Sequence, residues 1–149
     1  MTLKFKKEFS SGRARAGHFV INSHLIKTPC FMPVGTAATV KTMSASEISN
    51  FGYKIILANT FHLMLRPGVD IISKHGGIHD FMNWNGAIIT DSGGYQVFSL
   101  AKLRKITKKG VFFNSPIDGS KIFLDPKTSI GLQEKINSDI IMQFDESTP

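Results

Sequence analysis

The chain has 149 residues, 42% of them hydrophobic and 19% charged, and its 18 Lys and Arg against 11 Asp and Glu leave a net charge of +7. That length suits one domain with a real core, and the apolar content excludes a disordered chain. No apolar run approaches the roughly 20 residues of a membrane span, and the start, Met1 to Glu8, has no apolar stretch of a secretory leader. A single cysteine, Cys30, excludes an internal disulfide, so the expected compartment is the cytosol. The positive charge favours a polyanion, with nucleic acid the commonest. A lysine-rich surface that only maintains solubility gives the same sum.

In chain order, the opening reads as an antiparallel meander. Leu3–Phe9 alternates, Ser10-Ser11-Gly12 turns, Ala16–Ile21 resumes, and Asn22-Ser23 turns into His24–Ile26. From Cys30 the pattern changes to strand and helix in alternation. Cys30–Val34 is a short apolar strand. Ser44 with Glu47 three residues on is a capping-box spacing that starts a helix, and Asn50-Phe51-Gly52 stops it. Tyr53–Ala58 is a buried strand. Pro67 opens a second helix through Ile71 and Ile72 to Gly76-Gly77. Ala87–Thr90 is a third buried strand, and Val97–Phe123 is irregular apart from a hairpin of 111–113 and 121–124 about Asp118-Gly119. Asp125-Pro126 caps a third helix through Leu132 and Ile136, and Asp139–Phe144 is a fourth strand. This alternation predicts an α/β fold with a parallel sheet covered by helices.

In such folds reactive groups collect where strands end. Asn59-Thr60, Asp91-Ser92-Gly93-Gly94 and Asp145-Glu146 occupy those positions. Asp91 follows an apolar strand and precedes two glycines, which admit close backbone approach to a ligand. Tyr95 supplies a stacking face and Gln96 an amide for a planar polar edge. Two readings stand for each carboxylate. Asp91 either reaches a ligand or caps its own loop, and Asp145 either reaches a ligand or pairs with a basic neighbour. His75 and His79 are four apart, as metal ligands on one helical turn would be, but the glycines between them argue against a helix. His62, just past a strand end, either orients or hydrogen-bonds a loop or takes part in catalysis, and the first reading is favoured. Lys102, Arg104, Lys105, Lys108 and Lys109 form a basic cluster that either tracks phosphates or is a solvated face. No P-loop, dinucleotide glycine motif or serine-hydrolase elbow occurs.

Pro29–Thr36, Ile55–Leu63, Leu65-Arg66-Pro67-Gly68, Asp91–Ser99 and Phe144-Asp145-Glu146 before Thr148-Pro149 resemble, in order, the successive motifs of the tRNA-guanine transglycosylases, bacterial type. The resemblance runs from about residue 11 onward. It implies a (β/α)8 TIM-type barrel preceded by a small antiparallel sheet, here residues 1–28, with the barrel's first strand–helix units in 29–149. A closed barrel needs about 250 residues, so on this resemblance the chain is an N-terminal portion, inactive in isolation.

The implied reaction exchanges an anticodon-loop guanine of tRNA for a 7-deazaguanine by double displacement, using a carboxylate nucleophile and a second carboxylate that moves the proton. By position Asp91 matches the proton-handling aspartate. Ser92, Gly93, Gly94 and Tyr95 match the loop that holds the base, with Tyr95 as the stacking ring. Asp145 matches the aspartate that accepts from the base's N–H edge, and Gln96 and Asn59 match supporting polar positions. The resemblance also implies a three-cysteine-one-histidine zinc site and a homodimer. The nucleophile and the zinc ligands have no counterpart among these residues, and Ser147 stands where bacterial members have Cys. Two rivals accompany the enzyme reading: a non-catalytic tRNA-binding partner subunit, and an inactive truncated product. The presence of both Asp91 and Asp145 disfavours the first.

Overall fold

Three separate sheets organise the residues described by the computed structural model, 3–100 and 104–145. The first is the meander, with β1 (Phe5–Ser11), β2 (Ala14–Ile21) and β3 (His24–Thr28) antiparallel in that order. Its first turn falls at Gly12-Arg13, one step later than the expected Ser10–Gly12, because Ser11 still pairs with Ala14. The second turn uses Asn22 and Ser23, at φ 44° and 68°. Two successive positive φ values match the twist of paired antiparallel strands.

The second sheet is parallel, as the alternation predicts: β4 (Ile55–Ala58), β5 (Ala87–Thr90) and β9 (Ile140–Ile141) in that order. The expected strand Cys30–Val34 is reduced to one parallel bridge, Val34 with Leu57. Pro33 has no N–H to extend a ladder and contributes only its carbonyl, which accepts from Leu57 N at 3.0 Å. The expected strand 139–144 likewise shrinks to two residues. Both backbone groups of Met142 are taken by the side chain of Gln133, at 2.8 Å each, which ends the ladder.

Helices cover this sheet. α1 (Ala45–Asn50) starts at Ser44 with the full capping box, Ser44 N donating to Glu47 Oε2 at 2.7 Å. Pro67 does not open the second helix. α2 (Thr60–Leu65) precedes it and α3 (Val69–Lys74) follows it, capped by Gly68 at φ 100°. α4 (Ile78–Met82) follows the Gly76-Gly77 break. The stretch expected to be irregular holds α5 (Gly94–Leu100) and β6 (Arg104–Thr107), so the hairpin of β7 (Gly110–Asn114) and β8 (Lys121–Leu124) is part of a three-stranded antiparallel sheet. α6 (Pro126–Ile136) is capped by Asp125, which accepts from Thr128 N at 2.6 Å.

Three apolar clusters fix the elements. The largest joins the helices to the sheet through Ile56, Leu63, Ile72, Ile78, Ile88 and Ile136, all fully buried. Each such side chain contributes about 1.5–3 kcal/mol. Ile21 and Ile26 of the meander meet Ile55 and Ala87, the first residues of β4 and β5. The meander therefore seals the N-terminal end of the parallel strands and leaves their C-terminal end to α5 and the second antiparallel sheet. Phe61, Val97, Val111, Phe113 and Leu124 bind those elements together there. Among the described residues, no helix is long and apolar enough to cross a membrane.

Candidate functional site

Asp91 stands directly after β5, with its backbone N donating to Ala58 O across the sheet at 3.2 Å. Its carboxylate is held from three directions. Oδ2 accepts from Asn59 Nδ2 at 2.6 Å and from Gln96 Nε2 at 2.8 Å, and Oδ1 accepts from Thr60 N at 2.9 Å. Thr60 Oγ1 donates to the Asp91 carbonyl at 2.6 Å. Thr60 is the first residue of α2, whose own cap residue Asn59 makes no side-chain cap bond. Asp91 thus satisfies an orphan donor of a neighbouring helix rather than its own loop. A carboxylate has about four acceptor positions. The three bonds leave a lone pair on Oδ1, the position where a proton or a ligand donor can be accepted. Gln96 Oε1 is buried and has no hydrogen-bond partner among the described residues.

One residue further along, the chain turns to a different partner. Ser92, buried, donates from Oγ to Asp145 Oδ1 and accepts at the same Oγ from Gly94 N at 3.1 Å. Gly93 adopts φ 80°, in the region that disfavours side chains. Gly94 is required for a different reason: a Cβ there would fall on the Asp145 carbonyl oxygen and lie 2.8 Å from Oδ1. The two glycines let the loop turn and let Asp145 lie against it. Tyr95 then opens the first turn of α5 with 60% of its surface exposed, leaving its ring free to stack.

The eight sequence-derived residues therefore fall into two adjoining groups. Asn59 and Gln96 grip Asp91, while Ser92 and Gly94 hold Asp145, with Gly93 in the connecting turn and Tyr95 in the first turn of α5. Asp91 and Asp145, both expected at strand ends, do not line one cleft together. A cleft of about 250 Å³ opens beside Asp145 and Gly94, walled by Phe98, Phe144 and the β6–β7 hairpin, and Asp91 is not among its lining residues. The reason is visible in the bonds above: the Asp91 carboxylate is turned toward Asn59 and Gln96.

Arg104 and Lys105 lie on β6, and Lys108 and Lys109 in the turn to β7; Lys102, Glu146, Ser147, Thr148 and Pro149 lie outside the described residues. Arg104, Lys108 and Lys109 line the cleft, so the basic cluster borders the site. The Arg104 guanidinium lies 4.4 Å from the Phe98 ring centroid and donates to Phe98 O at 2.6 Å. His62 packs edge-on against Phe61 at 5.4 Å. His75 and His79 belong to different elements. His75 bonds Ile71 O, whereas His79 Nε2 lies 2.9 Å from Asp139 Oδ2. Cys30 is exposed, and among the described residues no group of three or more His, Cys, Asp or Glu is arranged to hold a metal ion.

Sequence reasoning missed Ser129 and Gln133. Both are fully buried polar residues on α6. Their spacing of four, on the face that also carries Ile136, was the available signal, since polar residues on an apolar stripe need partners.

A family model described as "Queuine tRNA-ribosyltransferase" matches residues 10–149. Three bacterial relatives bear the same name. That of Idiomarina loihiensis is 57% identical over 149 residues, all of this chain and 40% of the relative. That of Hydrogenovibrio crunogenus is 55% identical over 147 residues, 99% of this chain and 40% of the relative. That of Acinetobacter baumannii strain ATCC 17978 is 56% identical over 147 residues, 99% of this chain and 39% of the relative. The chain thus spans about 40% of the length of these relatives.

Proposed function

Since the chain belongs to the queuine tRNA-ribosyltransferase family, we propose that it carries the base-recognition part of a tRNA-guanine transglycosylase acting in the cytoplasm. The substrates are a tRNA with guanine at the first anticodon position and a 7-deazaguanine that replaces it. The parallel strands and their helices form the first units of a (β/α)8 barrel, which puts the base at the strands' C-terminal ends. One observation carries this reading: Ser92 and Gly94 hold Asp145, from the segment after β9, against the start of α5, where Tyr95 is exposed. A purine offers a flat face and an edge of N–H donors. An exposed tyrosine ring accepts the face, and a carboxylate, which only accepts hydrogen bonds, suits the edge.

Exchange breaks an N-glycosidic bond and forms another at the same ribose carbon. A carboxylate nucleophile holds the ribose between the two steps, and the departing base needs a proton that the incoming base returns. Asp91 is the group for that proton, through the Oδ1 lone pair its neighbours leave open, with Asn59 and Gln96 fixing the carboxylate's orientation. No residue of this chain is assigned as the nucleophile. Arg104, Lys108 and Lys109, on the wall beside Asp145, supply positive charge for the RNA backbone. A three-cysteine-one-histidine zinc site does not fit the residues present, because Cys30 is the chain's single cysteine. No step is assigned to zinc.

The test is a chimera in which residues 1–149 replace the matching part of the Idiomarina relative. Incorporation of labelled guanine into tRNA, abolished by Asp91→Asn, is the expected result. A folded chimera that binds tRNA without exchange would instead support the non-catalytic tRNA-binding reading.

A further inference from the structure

The two arms beside Tyr95 follow different strands, β5 and β9, and their bond to each other is that of Ser92 to the exposed Asp145. Something deeper must set their spacing. Gln133 of α6 is fully buried, and every polar atom of its amide is used. Oε1 accepts from Met142 N at 2.8 Å and from Thr90 Oγ1 at 3.0 Å. Nε2 donates to Met142 O at 2.8 Å and to Ser129 O and Oγ at 3.3 Å each. The amide thus imitates a neighbouring strand for Met142, three residues before Asp145. One turn earlier on the same helix, fully buried Ser129 donates from Oγ to Ser92 O at 2.7 Å.

These bonds close a circuit: Met142 to Gln133, Gln133 to Ser129, Ser129 to Ser92, Ser92 to Asp145, and back to Met142 along the backbone. A closed ring of hydrogen bonds restrains its circumference, and its buried members Ser129 and Gln133 cannot separate from their partners without leaving polar groups unpaired. We propose that Ser129 and Gln133 are positioning residues that set the distance between the Ser92 loop and Asp145, and through it the affinity for the base. The inference rests on the base-recognition reading above. It assigns to α6 a role in substrate selection that its place behind the sheet does not announce.

The same chimera tests it, with guanine and tRNA varied separately. Ser129→Ala removes the strut to Ser92, and Gln133→Leu removes the hold on Met142. Gln133→Leu is expected to raise KM for guanine about tenfold, and Ser129→Ala by a smaller factor. Both should leave kcat and KM for tRNA unchanged below the melting temperature. Thr90→Val is the structural control, since it deletes the Thr90 Oγ1 bonds to Gln133, Ser138 and Ile140 and leaves the Ser129–Ser92 and Gln133–Met142 bonds in place. It should lower Tm and leave KM for guanine alone. Unchanged KM for guanine in Ser129→Ala overturns the inference, whether or not Gln133→Leu folds. So does a pattern in which every kinetic constant follows Tm, the Thr90→Val control included. In a chimera that binds guanine without exchanging it, the guanine Kd from equilibrium dialysis makes the same comparison, so the positioning role is judged apart from catalysis. A folded chimera that neither binds nor exchanges overturns the base-recognition reading and the inference with it.

Discussion

A carboxylate lies at each end of β5, Asp91 just after it and Asp139, the residue before β9, beside Ile88, and the two are held on opposite plans. At its C-terminal end Asp91 is held by neutral donors only, two side-chain amides and a backbone N–H, and keeps an acceptor position open. Near its N-terminal end Asp139 is closed on all sides, its side chain only 4% exposed. Asp139 N donates to Ile88 O, while Oδ2 accepts from Ile88 N at 2.7 Å and faces His79 Nε2. Oδ1 accepts from Asn22 Nδ2, in the turn of the meander. One carboxylate is positioned and left able to react. The other is spent on joining the meander, α4 and the parallel sheet. In barrel-type folds chemistry belongs to the C-terminal end of the strands and stability to the other, and on the proposed reading the open acceptor of Asp91 and the closed cluster of Asp139 follow that division at the two ends of β5.

The comparison breaks most sharply at Asp91. Asp91→Asn should lower exchange in the chimera about 10²–10⁴-fold, the usual range for a lost proton-transfer group. tRNA affinity should hold. Because the new amide meets the N–H groups of Asn59 and Gln96, some loss of Tm accompanies it. Normal exchange would show that this end of β5 is structural like the other. Asp145→Asn is next, because one acceptor becomes a donor facing the base edge. A mismatch of about 1–3 kcal/mol should appear as a guanine KM raised about 5- to 150-fold, with tRNA KM unchanged. Equal affinity for guanine would remove Asp145 from base reading.

At the other end the signs reverse. Asp139→Asn keeps the shape but removes the charge that His79 faces and puts an amide among donors. It should lower stability by about 1–3 kcal/mol in denaturant unfolding, with guanine KM unaffected once the protein is folded. A variant as stable as the parent, or one with altered guanine KM and unchanged stability, would erase the distinction between the two ends.

This contrast was only partly legible in the sequence. Asp91, with an apolar strand before it and two glycines after it, stands out because its neighbours are local. The capping box at Ser44 and Glu47 and the cap at Asp125 were readable for the same reason, since a helix start is written within four residues. Asp139 looked like an ordinary strand start, because its partners Asn22 and His79 lie 117 and 60 residues away. Gln133 had the same problem in reverse. A glutamine on a helix reads as solvated, and nothing near it reveals that Met142 will bond to it in place of a strand. α5 and β6 were missed because elements of seven and four residues carry too little periodicity to separate from loop. Local capping and glycine geometry were visible, whereas buried polar bonds between distant segments were not.

The smallest expected effect is a pH dependence confined to the Asp139 end. The hydrogen bond to Asp139 raises the pKa of His79 above its ordinary 6.5, with the charges of Asp139 and Asp80 adding to it and burial opposing. Burial is the largest single influence on Asp139 and acts upward. The hydrogen bonds from His79, Ile88 N and Asn22, together with the His79 charge, outweigh it, so the net shift is below 3.8. The two groups therefore stabilise over a shared window. The His79 contribution is complete below 6.5 and is lost as pH rises through its raised value; the Asp139 contribution is complete above 3.8 and is lost as pH falls through its lowered value. Unfolding followed between about pH 5 and 8 should show a parent advantage over His79→Gln that shrinks as pH rises, because deprotonation removes the charge that the variant never had. An advantage of His79 that stays constant across this range would mean that the Asp139 end is held by packing and neutral hydrogen bonds alone, on the same plan as the Asp91 end.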